Sequence, residues 1–85
     1  MITAAQIRAS RAALRLSAQG LADMSDVALR TIKRLETFDG IPPSHTSTLA
    51  AIKSALERAG IEFIGSPDDR PGIRLKTIKP SEDKL

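Results

Sequence analysis

The 85-residue chain has no cysteine and a single histidine. It therefore has no disulfides, no thiolate nucleophile and no thiolate zinc site, and one imidazole cannot hold a metal alone. Aromatic residues are almost as scarce, with Phe38 and Phe63 the only two. Proteins that bind single strands stack bases on aromatic platforms, so the composition suits a duplex better. No apolar run approaches the roughly 18 residues of a membrane helix, and the opening MITAAQIRAS lacks the apolar stretch of a secretion signal. Neither a membrane partner nor secretion is expected, and the cytoplasm is the expected compartment. No nucleophile–base pair, metal cluster or phosphate-cradling glycine loop is visible, so no cofactor and no enzymatic activity are expected.

What is present is an ordinary balance for a folded domain, 41% hydrophobic and 27% charged. A chain this short builds only a modest core, so dimerisation would add stability. The net charge of +3 is unevenly spread. Residues 1–34 carry six cations, Arg8, Arg11, Arg15, Arg30, Lys33 and Arg34, against Asp23 and Asp26. Later segments are close to neutral. The basic excess thus belongs to the N-terminal part, where a polyanion would bind.

Periodicity predicts a mainly α chain. A first helix is expected from Ala4 to about Leu16, capped by Thr3, with Ile7, Arg11 and Leu14 on one face and Arg8 and Arg15 pointing elsewhere. Ser17 reads as the cap of a short helix running from Ala18 to about Met24. Ser25-Asp26-Val27 reads as a tight turn, with aspartate tolerating the left-handed backbone region. A third helix is expected over Ala28–Thr37, with Ile32 and Leu35 inward and Glu36 on the inner flank. Arg30, Lys33, Arg34 and Thr37 fall on the opposite side, about 100° per residue being the helical step. After the Gly40, Pro42 and Pro43 loop, Ser44 or Thr46 is expected to cap a fourth helix that stops at Gly60. His45 is expected to be a surface or capping residue. Beyond Gly60 the period becomes that of strands, in IEFIG and again in GIRLKTI, separated by the turn-rich SPDDRPG. The domains expected are 1–60 for the helices, 61–78 for a β segment and 79–85 for a frayed tail.

The stretch SAQGLADMSDVALRTIKRLE carries the chemistry. It sets the small residue Ala22 ten positions before Ile32, with Leu21, Val27 and Leu35 as further anchors and a sharp turn between. From about Ile7 to Leu56 the chain resembles the Cro/CI-like (XRE) family of helix-turn-helix regulators. The resemblance implies a four- to five-helix lambda-repressor-like DNA-binding bundle, here with a short C-terminal pair of β-strands. It implies operator DNA as the partner, usually bound by a homodimer and often in repression. Ser17, Ala28, Leu29, Arg30, Lys33, Arg34 and Thr37 stand at the positions that would face DNA. Arg30 and Arg34 would meet guanine or phosphate, Lys33 and Ser17 phosphate, and Leu29 either a thymine methyl or the bundle edge. Ala18 stands where the family often has glutamine, and Asp26 where its turn usually has glycine.

Arg11 on an apolar face and Glu36 on an inner flank would each be costly if buried alone, so a structural ion pair is expected between them; the family commonly has the same two residue types there. An isolated hairpin is marginal in water, so Ile61, Phe63, Ile64, Ile73 and Leu75 are expected at a dimer interface formed by strands pairing across a two-fold axis. A hairpin folded on its own bundle is the other arrangement. An antitoxin or anti-activator whose strands grip a protein partner, with DNA binding secondary, is the competing functional class.

Overall fold

The structure, a computed structural model, describes residues 1–76. Ile78 and the expected tail at 79–85 lie outside the described residues. Helix α1 (Ala4–Leu14) opens with a reciprocal cap. The Thr3 side chain accepts from the Gln6 N–H at 3.1 Å, and Gln6 Oε1 accepts from the Thr3 N–H at 2.8 Å. The helix ends two residues before the expected Leu16. Arg15 takes the left-handed conformation (φ 55°), and the Arg15 and Leu16 N–H groups return to the Ala12 and Arg11 carbonyls. That double return satisfies the last carbonyls and turns the chain sharply.

Ser17 then caps α2 (Ala18–Ser25), its Oγ accepting from the Gly20 N–H at 2.9 Å. Gly20 weakens the helix by about 1 kcal/mol relative to alanine. In return it admits Leu16, whose Cδ1 would lie only 2.7 Å from a Cβ at that position. Asp26 (φ 61°) ends α2 in the left-handed region, and α3 (Leu29–Leu35) follows almost at once. This third helix is shorter than the expected 28–37, with Ala28 as its N-cap residue and Glu36 closing its end. Helix α4 (Thr46–Arg58) starts after His45, and no side chain caps it, although Ser44 or Thr46 was expected to do so. One cluster forms the core: Ile2, Ile7, Leu21, Ile32, Leu35, Leu49, Ile52 and Leu56 are all essentially inaccessible.

Strands β1 (Ile61–Ser66) and β2 (Asp69–Leu75) form an antiparallel hairpin within the chain. The register sets Ile61 opposite Leu75, Glu62 opposite Arg74 and Phe63 opposite Ile73. The expected break at SPDDRPG shrinks to Pro67 and Asp68, and Pro71, which has no N–H to donate, is accommodated in β2 of a sheet that has only edge strands. This corrects the expectation that the strands pair between chains. Ile61 is fully buried in the core of its own chain, and Phe63 and Ile73 pack against that core. Ile64 is half-buried and Leu75 is exposed. Gln6 ties the hairpin to α1, its Nε2 donating to the Gly72 carbonyl at 2.8 Å and the Ile64 carbonyl at 3.4 Å.

Two positions give direct tests of this packing. Gly65 (φ 73°) sits at the irregularity between Ile64 and Ser66, where a Cβ would press on the Arg70 and Asp69 carbonyls. Gly65→Ala should cost about 2 kcal/mol or more through backbone strain and collision, read as a lower thermal midpoint; an unchanged midpoint contradicts the register. Ser10 is fully buried in α1, and its hydroxyl has no hydrogen-bond partner. An unsatisfied buried hydroxyl costs about 1–3 kcal/mol. Ser10→Ala should therefore leave the melting midpoint unchanged or raise it, and a clear fall would contradict the burial.

Candidate nucleic-acid interface

Seven residues leave α3 too short to be stable alone, so its neighbours must hold it. It buries Ile32 and Leu35 against the core, and α2 packs against both α3 and α4. The connection is tight: the Asp26 and Val27 N–H groups both return to the Ala22 carbonyl, the latter at 3.3 Å, which fixes how α3 leaves α2. With Ile32 and Leu35 turned inward, Arg30, Lys33 and Arg34 are exposed along the outer surface. The side chains of Arg30 and Lys33 make no hydrogen bond or ion pair among the described residues. Arg34 reaches the Pro43 carbonyl at 3.5 Å, a long contact that leaves most of its donors to solvent.

The C-terminal end of α3 is fastened to α1 by two arginines. Arg11 grips Glu36 in a bidentate pair, Nε to Oε2 at 2.7 Å and a terminal nitrogen to Oε1 at 2.8 Å. Its remaining nitrogen donates to the Leu16 carbonyl at 2.9 Å, so one guanidinium joins α1, the turn into α2 and the end of α3. The side chains are 25% and 11% exposed, enough burial for the geometry to matter. The hydrogen bond to Glu36 raises the Arg11 guanidinium above its ordinary value, against the opposing effect of burial. Stability from a raised cation is lost only as pH climbs past the ordinary arginine range, so the pair persists at every usable pH on the arginine side.

Arg8, expected to point elsewhere, is the second fastening. Its guanidinium donates to the backbone carbonyl of Glu36 and, at 3.4 Å, to that of Phe38. The signal was present in the spacing: Arg8 lies three residues before Arg11, on an adjoining part of the same helical face.

The structure brings together most of the residues singled out in sequence. Ala28 and Arg30 are exposed at the beginning of α3, and Ser17 is exposed at the beginning of α2. Leu29 is partly buried and packs against the core while also lining the cleft beside α2. Thr37 falls beyond the helix, in a turn, where its hydroxyl donates to the Arg34 carbonyl at 2.7 Å. It was placed on α3 because sequence pattern alone carries a helix through Glu36. A feature not anticipated is a shallow cleft of about 360 Å³ between α2 and the start of α3, lined by Gln19, Asp23, Asp26 and Leu29 among others. Its two carboxylates make the turn end of α3 unfavourable for phosphate, while the helix body is cationic.

No protein-family model matches the chain, and no curated protein matches it. Among the described residues there is no group of three possible metal ligands, and no helix is long and apolar enough to cross a membrane. The chemistry that this surface offers is charge complementarity and directed hydrogen-bond donation to an anion.

Removing one partner of the Arg11–Glu36 pair strands the other. Glu36→Ala should destabilise the fold by about 2–3 kcal/mol, below the roughly 3–5 typical of a fully buried pair because Arg11 keeps partial access to water. In a domain of this size, each kcal/mol lowers the melting midpoint by about 4–8 °C. A midpoint within a degree or two of the parent would contradict the structural role.

Proposed function

We propose that this chain is a sequence-specific, double-stranded DNA-binding regulator of transcription, acting as a repressor. Its finer fold on this reading is a Cro/CI-like helix-turn-helix bundle. Helix α2 lies over the phosphate backbone and α3 enters the major groove. The observation that supports it is the division of α3, with Ile32 and Leu35 inaccessible on one side and Arg30, Lys33 and Arg34 exposed on the other. Guanidinium groups can donate two parallel bonds to guanine O6 and N7, and Lys33 and the Ser17 hydroxyl supply donors for phosphate.

The length of α3 argues for two copies. Seven residues at about 1.5 Å each span about 10 Å, or about three base pairs at a spacing of about 3.4 Å. Three base pairs recur too often in a genome to define a site. A homodimer with its two α3 helices in successive major grooves, about 34 Å apart, reads an inverted repeat instead.

Selection of bound sites from random duplexes should return an inverted repeat, with affinity falling steeply as salt rises. Against that site, Arg30→Ala combined with Arg34→Ala should lose about 30-fold or more in affinity, since each bidentate contact contributes about 1–3 kcal/mol. The melting midpoint should stay close to the parent, because both side chains are on the surface. Retained affinity in the double variant, or no duplex bound at low salt by the parent, contradicts the proposal.

A further inference from the structure

We propose that Arg8 is a positioning residue for α3: it touches no base or phosphate, yet it holds α3 in the pose that reads sequence. The inference rests on the DNA-binding reading above and adds a residue to it.

Helix α3 enters its fold with little of its own to fix it. It has seven residues, and Ala28 at its start offers no side-chain cap. Its orientation is set at the two ends. At the first, the Asp26–Val27 turn ties it to α2. At the second, the chain leaves α3 through a succession of turns and bends before α4 starts at Thr46. The last carbonyls of α3 are bound locally, Ile32 by the Glu36 N–H, Arg34 by the Thr37 N–H and Leu35 by the Phe38 N–H, and the exit segment is tied to the bundle further on, where the Ala4 N–H donates to the Gly40 carbonyl at 2.9 Å. Between these ties Arg8 holds the C-cap itself, donating from one nitrogen to the carbonyl of Glu36 and to that of Phe38 just beyond the helix. A cation at this end also faces the negative pole of the helix, so charge and hydrogen bonding act in the same direction.

Arg11 cannot supply this restraint by itself. It holds the Glu36 carboxylate, which sits at the end of a flexible side chain, whereas Arg8 holds the backbone. With both present, rotation of α3 about its buried side is blocked and Arg30, Lys33 and Arg34 keep a fixed height on the surface. Without Arg8 the core still closes over Ile32 and Leu35, but α3 samples neighbouring poses. A ligand that requires one pose then binds more weakly by the fraction of molecules in that pose. Binding that needs only positive charge is not affected.

The test compares the parent with Arg8→Ala, Arg8→Gln and Arg8→Lys. Each is titrated against the duplex selected by the parent and against a scrambled duplex of equal length, over a range of salt. Amide hydrogen exchange is measured on the DNA-free proteins. For Arg8→Ala the expected loss on the selected duplex is about tenfold, the ratio set by one charge-assisted hydrogen bond. Affinity for the scrambled duplex and the dependence on salt should stay unchanged. Exchange at the amides of Glu36, Thr37 and Phe38 should speed up, and Arg8→Lys, which restores a charged donor, should recover most of both effects. If Arg8→Ala unfolds, the comparison of Arg8→Gln with Arg8→Lys carries the same readouts. Equal losses on both duplexes, with the salt slope reduced by about one, would make Arg8 a phosphate contact and overturn the proposal. Unchanged selectivity overturns it as well. If the parent binds no duplex, the DNA-binding reading fails and this one with it; if the parent discriminates and the Arg8 variants discriminate equally, only the present inference fails.

Discussion

Glu36 is the point at which three parts of the chain meet. Its carboxylate is gripped by Arg11, its carbonyl by Arg8, and Arg11 also holds the Leu16 carbonyl in the turn before α2. Helices of eleven, eight and seven residues are individually too short to persist in water. Hydrophobic burial of Ile7, Leu21, Ile32 and Leu35 gathers them, but burial is non-directional and would tolerate several relative orientations. A planar guanidinium with two parallel bonds to a carboxylate does not, because its geometry is fixed. The ion pair at the end of α3 thus narrows a collapsed cluster to fewer arrangements, and Arg8 holds the Glu36 backbone beside it.

The rest of the surface is consistent with that arrangement. The cations of α3 stand on the helix body, apart from Asp23 and Asp26, which line the cleft by the turn that precedes it. Acidic groups there leave the helix with a charge gradient along its length. The hairpin stands outside this design. Ile61 completes the core under α4, and Gln6 fixes the hairpin on α1 with the same amide that caps that helix.

Much of this was legible in residues whose physics is local. Thr3 and Ser17, residue types that cap helices, marked two helix starts, and the left-handed tolerance of Asp26 marked the turn. Arg11 and Glu36 were legible for a different reason: two opposite charges forecast on inner faces must find each other. What escaped were features set by tertiary contact. Arg15 in the left-handed conformation ends α1 early because the chain must turn for Leu16 to lie over Gly20, which no propensity at Arg15 signals. Thr37 was drawn into α3 because nothing in its identity says that the helix closes at Glu36. The strands were recognised, but their pairing depends on whether the bundle leaves an open groove for Ile61 and Phe63. Only the packed helices decide that.

On the proposed function, α3 presents its cationic side to a duplex groove. This is tested most directly by amide chemical shifts of isotope-labelled protein titrated with a duplex recovered from random-sequence selection. The expected map places the large changes on residues 29–35 and at the start of α2, with the hairpin and α4 unmoved. Changes centred on β1, β2 or α4, or no change at any duplex concentration at low salt, would contradict it.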